Sequence, residues 1–136
     1  MDRFDIQILE EMQRHPDLSQ RDLADAVGLS QNACWRRLKK LEDSGIIEGR
    51  TLRLNRNALG LNLVVFMMIR TRRHSSEWLE TFRRHVTGIP EVTDFFRIGG
   101  DYDYLLKIVA SDMSSYDRVY QRLIHKIELD TVTSYF

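Results

Sequence analysis

Ser19-Gln20-Arg21-Asp22-Leu23-Ala24-Asp25-Ala26-Val27-Gly28-Leu29-Ser30-Gln31-Asn32-Ala33-Cys34-Trp35-Arg36-Arg37-Leu38 is the stretch on which the fold turns. Leu23, Ala24 and Val27 form the apolar stripe of a short helix. Ser19 to Asp22 resembles a capping box, with Asp where Glu or Gln is usual. Gly28 closes the helix, because glycine accepts the positive φ of the turn without steric cost. Ser30 then caps a second helix, on which Cys34, Leu38 and Leu41 recur at i, i+4 and i+7. Two short helices joined through Gly28-Leu29 make a helix-turn-helix. Ala24 is small where the helices cross, and Cys34 suits the buried slot that locks them, since a free cysteine behaves as a small hydrophobe.

Outward from this pair, Phe4, Ile8, Leu9 and Met12 predict a helix over residues 3–14, ended by His15-Pro16. Gly45 stops the third helix. Ile46 to Arg50, with Leu52 and Leu54, read as a small β-wing along which Arg50, Arg53 and Arg56 lie. The pattern breaks from Asn55 to Gly60, as in a hinge. The second half has another grammar. Residues 61–71 read as a strand apolar on both faces, with Leu63, Val65, Met67 and Ile69 on one and Val64, Phe66 and Met68 on the other. Residues 75–87 and 112–127 carry helical stripes. Residues 92–98, 102–110 and 130–136 read as strands, the first two joined by Gly99-Gly100-Asp101. The expected fold class is α+β, a winged helix-turn-helix followed by a ferredoxin-like βαββαβ sandwich. The expected divisions are 1–49 for the winged unit, 50–60 for wing end and hinge, and 61–136 for an effector-binding and oligomerisation unit. Two helices cover one face of a four-stranded sheet, so the other face needs a partner, and a second copy is the simplest candidate.

Charge narrows the function. The chain carries 20 basic and 20 acidic residues, yet residues 30–40 hold Arg36, Arg37, Lys39 and Lys40 with no acid, while residues 1–29 hold three bases against seven acids. A positive helix inside a neutral protein is the footprint of a DNA-binding segment, although solvated helix faces share it. The single cysteine excludes an internal disulfide and a cysteine-based metal cage. Four scattered histidines lack ligand spacing, so no metal or cofactor is expected. The longest apolar run, Leu63 to Ile69, is too short for a membrane span. Asp2, Asp5, Glu10 and Glu11 sit where a secretion leader would be, and a cytoplasmic location is expected.

The candidate DNA face is Ser30, Gln31, Asn32, Trp35, Arg36, Arg37, Lys39 and Lys40. The first turn of a recognition helix lies nearest base edges. Gln31 and Asn32 suit adenine and Arg36 suits guanine, whereas Arg37 and Lys40, on the helix shoulder, suit phosphates. Trp35 fits stacking on DNA and packing on the first helix equally. The bland alternative for the segment is a solvated basic face.

The residues Asp2 to Leu9, Leu18 to Ala24, Val27 to Ser30, Cys34 to Leu38, Leu41-Glu42 and Gly45 to Ile47 together resemble the leucine-responsive/AsnC (feast/famine) regulators. Gly99-Gly100-Asp101-Tyr102-Asp103-Tyr104-Leu105-Leu106 resembles the turn of that family's sensor domain. The resemblance runs through the whole chain in order, and the last strand of such proteins continues beyond Tyr135-Phe136. It implies a transcription regulator that binds double-stranded DNA, a homodimer assembling to tetramers or octamers, and an amino acid or related metabolite as effector. On that basis Gly99, Gly100, Asp101, Tyr102 and Asp103 are the candidate effector site, with Asp101 or Asp103 facing an ammonium group. The plain alternative is a hairpin turn. Two other functions compete. A haem-pathway decarboxylase-like relative would place His and Arg around this turn, which is acidic here, and no catalytic residue set is visible. A nucleoid-type architectural protein would use the same oligomer and basic helix.

Overall fold

The computed structural model describes Met1–Phe136, which divide into two compact units, Met1–Arg53 and Leu54–Phe136. In the N-terminal unit, helices α1 (Arg3–Arg14), α2 (Gln20–Val27) and α3 (Gln31–Asp43) converge on one core. Ile8, Leu23, Ala24, Val27, Cys34, Leu38 and Leu41 are buried there, with Leu9, Met12, Leu18, Leu29 and Ile47 packed around them. Each helix begins with a side-chain cap: Asp2, Ser19 and Ser30 accept the orphan N–H groups of their first turns. The complete capping box belongs to α1, not α2. Asp2 caps the Asp5 N–H, and Asp5 returns to the Asp2 N–H at 3.0 Å. In α2 the Asp22 carboxylate instead takes the Ser19 hydroxyl at 2.7 Å.

The expected β-wing has no strands. Ile47 N–H returns to Leu41 C=O at 3.1 Å, closing α3 through Gly45 at φ 78°, and no ladder pairs the residues that follow. A strand needs a partner backbone, and the stretch from Ile46 to Leu54 finds none; Leu52 and Leu54 are 82% and 68% exposed. The Asn55–Gly60 stretch is a hydrogen-bonded turn. Asn55 Oδ1 accepts from Ala58 N, and Arg56 reaches the Leu61 carbonyl at 2.7 Å.

The C-terminal unit runs β1 (Leu63–Arg70), α4 (Ser76–Thr87), β2 (Val92–Arg97), β3 (Tyr104–Ala110), α5 (Met113–Ile124) and β4 (Thr131–Tyr135). The antiparallel sheet has the order β2-β3-β1-β4, so the βαββαβ sandwich expected from the sequence is present. Helix α5 stops one turn earlier than its apolar spacing suggests: the chain turns extended at His125, with ψ 125°, and Lys126 follows at φ 59°, neither of which an α-helix accommodates. Ile127 still packs on the core.

The sequence left open which face of β1 meets the helices. Val65, Met67 and Ile69 do, fully buried with Leu106, Ile108, Phe82 and Leu123. Trp78 stacks on Phe82 at 4.9 Å, and Phe82 lies 5.5 Å from Tyr104. Strand register places Val64 beside Val109, Met68 and Phe96 beside Leu105, and Phe66 beside Lys107 on the other face. No element of the unit covers that face, and Phe66 and Phe96 are 44% and 50% exposed.

Candidate nucleic-acid interface and sensor turn

The geometry of α3 follows from the turn before it. Gly28 sits at φ 71°, its N–H and that of Leu29 return to the end of α2, and Ser30 Oγ accepts from Ala33 N at 3.2 Å. Cys34, Leu38 and Leu41 then point into the core, which fixes the opposite side of α3 toward solvent. Gln31, Asn32, Arg36, Lys39 and Lys40 are exposed there, and Trp35 is 48% exposed. Ser30 is exposed as well, with its hydroxyl engaged in the cap. Lys39 lies 3.6 Å from Asp43 one turn on, a solvated pair that a stronger anion can replace. Burial pushes the Cys34 thiol up, consistent with packing rather than reactivity.

Arg37 departs from its expected place as a phosphate clamp. Its Nη1 lies 2.8 and 2.7 Å from the two Asp2 oxygens and 3.0 Å from Asp5 Oδ1, and its guanidinium stands 5.3 Å from the Phe4 ring centre. The hydrogen bond from Arg37 holds the Asp2 carboxyl below the usual carboxylate range; the Asp2 N–H, then Arg37, does the same for Asp5. Sequence reading missed this triad because 35 and 32 residues separate its members.

In the C-terminal unit the turn between β2 and β3 is tied to β1. Asp103 N–H donates to Ile69 C=O at 2.8 Å, and the Asp103 carboxylate accepts from Thr71 N at 2.8 Å. Asp103 is therefore an anchor of the turn, and of the two acids proposed to face an ammonium group Asp101 is the exposed one. The Tyr102 hydroxyl lies 2.9 Å from Thr133 Oγ1 on β4. Gly100 has φ 102°, which explains glycine there by backbone alone. Gly99 has no such constraint, and a side chain on it would meet open space. Nearby, Asp130 joins the end of β1 through Arg70 at 2.9 Å and Arg72 at 2.7 Å, and the Arg70 hydrogen bond keeps its carboxyl low. No group of His, Cys, Asp and Glu is arranged to hold a metal ion, and no helix is long and apolar enough to cross a membrane.

A helix-turn-helix with an exposed basic face, followed by a βαββαβ unit with a glycine-rich turn, defines a class of DNA-binding regulators with a sensor module. A family model for a winged helix-turn-helix DNA-binding domain matches residues 1–48, and one for the Lrp/AsnC ligand binding domain matches residues 64–136. The chain is 41% identical over its whole length to the glutamate uptake regulatory protein of Zymomonas mobilis, covering 83% of that protein. It is 43% identical to the DNA-binding transcriptional activator DecR of Escherichia coli, covering 100% of this chain and 90% of that one. The crystal structure of an AsnC family transcriptional regulator from Agrobacterium tumefaciens superimposes with a TM-score of 0.95 at 45% identity, covering 100% of this chain and 89% of that chain. A transcriptional regulator from Neisseria meningitidis, solved in complex with L-Met, gives 0.92 at 32% identity, covering 100% and 88%. The chain belongs to the Lrp/AsnC family of transcription regulators.

Proposed function

We propose that this regulator reads DNA sequence through the exposed side of α3 and adjusts its assembly or DNA affinity to an amino acid held at the Gly99–Asp103 turn. The observation that carries the reading is the placement of Gln31, Asn32, Arg36 and Lys40 on one exposed side of a helix whose other side is locked in the core. Gln31 and Asn32 serve adenine edges, Arg36 a guanine and Lys40 a phosphate. The Neisseria relative holds L-Met, and two features support a comparable ligand here: the open space over Gly99 and the exposed carboxylate of Asp101. The bare sheet face supports pairing with a second copy. The further assembly to tetramers or octamers, the cytoplasmic location and the lack of enzymatic activity belong to the same proposal and rest on the family likeness. A ligand shared between copies favours the states containing that interface.

The test compares a duplex enriched from a random pool by the protein with the same duplex shuffled, at equal salt, with and without a panel of amino acids. The account expects a preference of at least about 10³ for the enriched duplex, shifted by one panel member. Gly99→Leu, which introduces no backbone strain, removes that shift and leaves ligand-free binding intact. Equal affinity for both duplexes would point to an architectural protein, and a shift that survives Gly99→Leu would remove the ligand from this turn.

A further inference from the structure

The Asp2–Arg37–Asp5 triad is a puzzle for a DNA-binding surface. Asp2, Asp5, Arg36, Arg37 and Lys40 line one open groove of about 510 Å³ between the start of α1 and the middle of α3. Two carboxylates thus stand beside the cations that face DNA, and with Arg37 they sum to one negative charge. That charge subtracts from the attraction that Arg36, Lys40 and the Met1 ammonium in the same groove exert on a phosphate. The geometry of the cluster serves another end. Asp2 caps α1 through the Phe4 and Asp5 N–H groups with the same carboxylate that receives Arg37. One side chain therefore fixes both the first turn of α1 and the rotation of α3 at the residue between Trp35-Arg36 and Lys40. Arg37 is only 31% exposed, with Phe4 under its guanidinium.

We propose that Arg37 is a positioning residue for sequence reading: Asp2 and Asp5 hold it so that α3 presents Arg36 and Gln31 at a fixed attitude, at the cost of weaker general attraction to DNA. Misplacing a contact by a fraction of an ångström weakens directional hydrogen bonds to base edges far more than the long-range attraction to phosphates. The inference rests on the DNA-reading function proposed above.

The experiment uses the full chain, the enriched and shuffled duplexes, and a salt titration. In Asp2→Asn/Asp5→Asn, asparagine still caps α1 while two negative charges vanish. The shuffled duplex binds tighter, and the preference for the enriched duplex falls about tenfold. In Arg37→Met the preference falls similarly, while the slope of log affinity against log salt stays unchanged. Combining the three substitutions lowers the preference no further than either set alone, because both break one interaction. Retained binding to the shuffled duplex shows that the helices are folded. A preference unchanged in the asparagine variant overturns the proposal. So does a slope that drops by about 1 in Arg37→Met with equal losses on both duplexes, the mark of a phosphate contact. A wild-type protein that binds neither duplex would sink the DNA-reading function itself.

Discussion

The N-terminal unit closes the apolar stripes of its three helices on one core and turns a charged side of α3 to water, whereas the C-terminal unit buries one sheet face and leaves the other apolar. In the first, three capped helices of twelve, eight and thirteen residues close around Ile8, Ala24 and Cys34. In the second, the helices satisfy only Val65, Met67, Ile69 and their neighbours on β3. Val64, Phe66, Met68, Phe96, Leu105 and Val109 form the outer set, interrupted by Lys107. The contrast separates two kinds of specificity. A finished core leaves its surface available to chemistry such as base recognition, while an unfinished one leaves an apolar surface open to another chain.

Separate cores give the largest expected effect. Phe82 is fully buried among aromatic rings, and Phe82→Ala costs about 3–5 kcal/mol. Calorimetry of the variant should show the C-terminal unit melting earlier while the helices around Ile8 keep their transition. A single transition shifted as a whole would merge the two units into one. Smaller, and confined to recognition, is Arg36→Ala. It weakens the enriched duplex by about 1–3 kcal/mol and relaxes preference at one base pair, whereas Lys40→Ala weakens all duplexes alike. Identical losses on enriched and shuffled DNA for both variants would erase that division. The smallest effect belongs to Cys34. Cys34→Val keeps volume and apolarity, so stability changes by less than about 1.5 kcal/mol and DNA binding persists. The native thiol, 2% exposed, reacts slowly with a thiol probe. Fast labelling of folded protein would place Cys34 outside the core.

Wherever a pattern is local, the sequence carries it. The helix-turn-helix was legible because Ala24, Gly28 and Cys34 fall within eleven residues, and their roles follow from size and φ alone. The sandwich was legible from its alternation of periods. Three features escaped. The wing was read from Ile46 to Arg50 with Leu52 and Leu54, but a short apolar stretch does not supply a partner strand. Arg37 sits on the same shoulder of α3 as Lys40, and helical spacing cannot distinguish a cation facing DNA from one paired with Asp2. Asp103 looks like a ligand-facing acid until β1 brings the Thr71 N–H within 2.8 Å of it. For Arg37 and Asp103 the missing fact was a contact between distant parts of the chain, and for the wing it was the lack of one.

The comparison rests most heavily on the bare sheet face, and sedimentation equilibrium of the full chain at micromolar concentration tests it most directly. Phe66 lies near the middle of that face, and Phe66→Glu would replace an apolar ring by a carboxylate beside Lys107, a charge pair whose desolvation weakens any interface formed there. The account predicts a wild-type dimer or larger assembly, and a Phe66→Glu monomer that keeps the helical signal of α1 to α3. A compact wild-type monomer, or a Phe66→Glu protein that assembles like wild type, would contradict it.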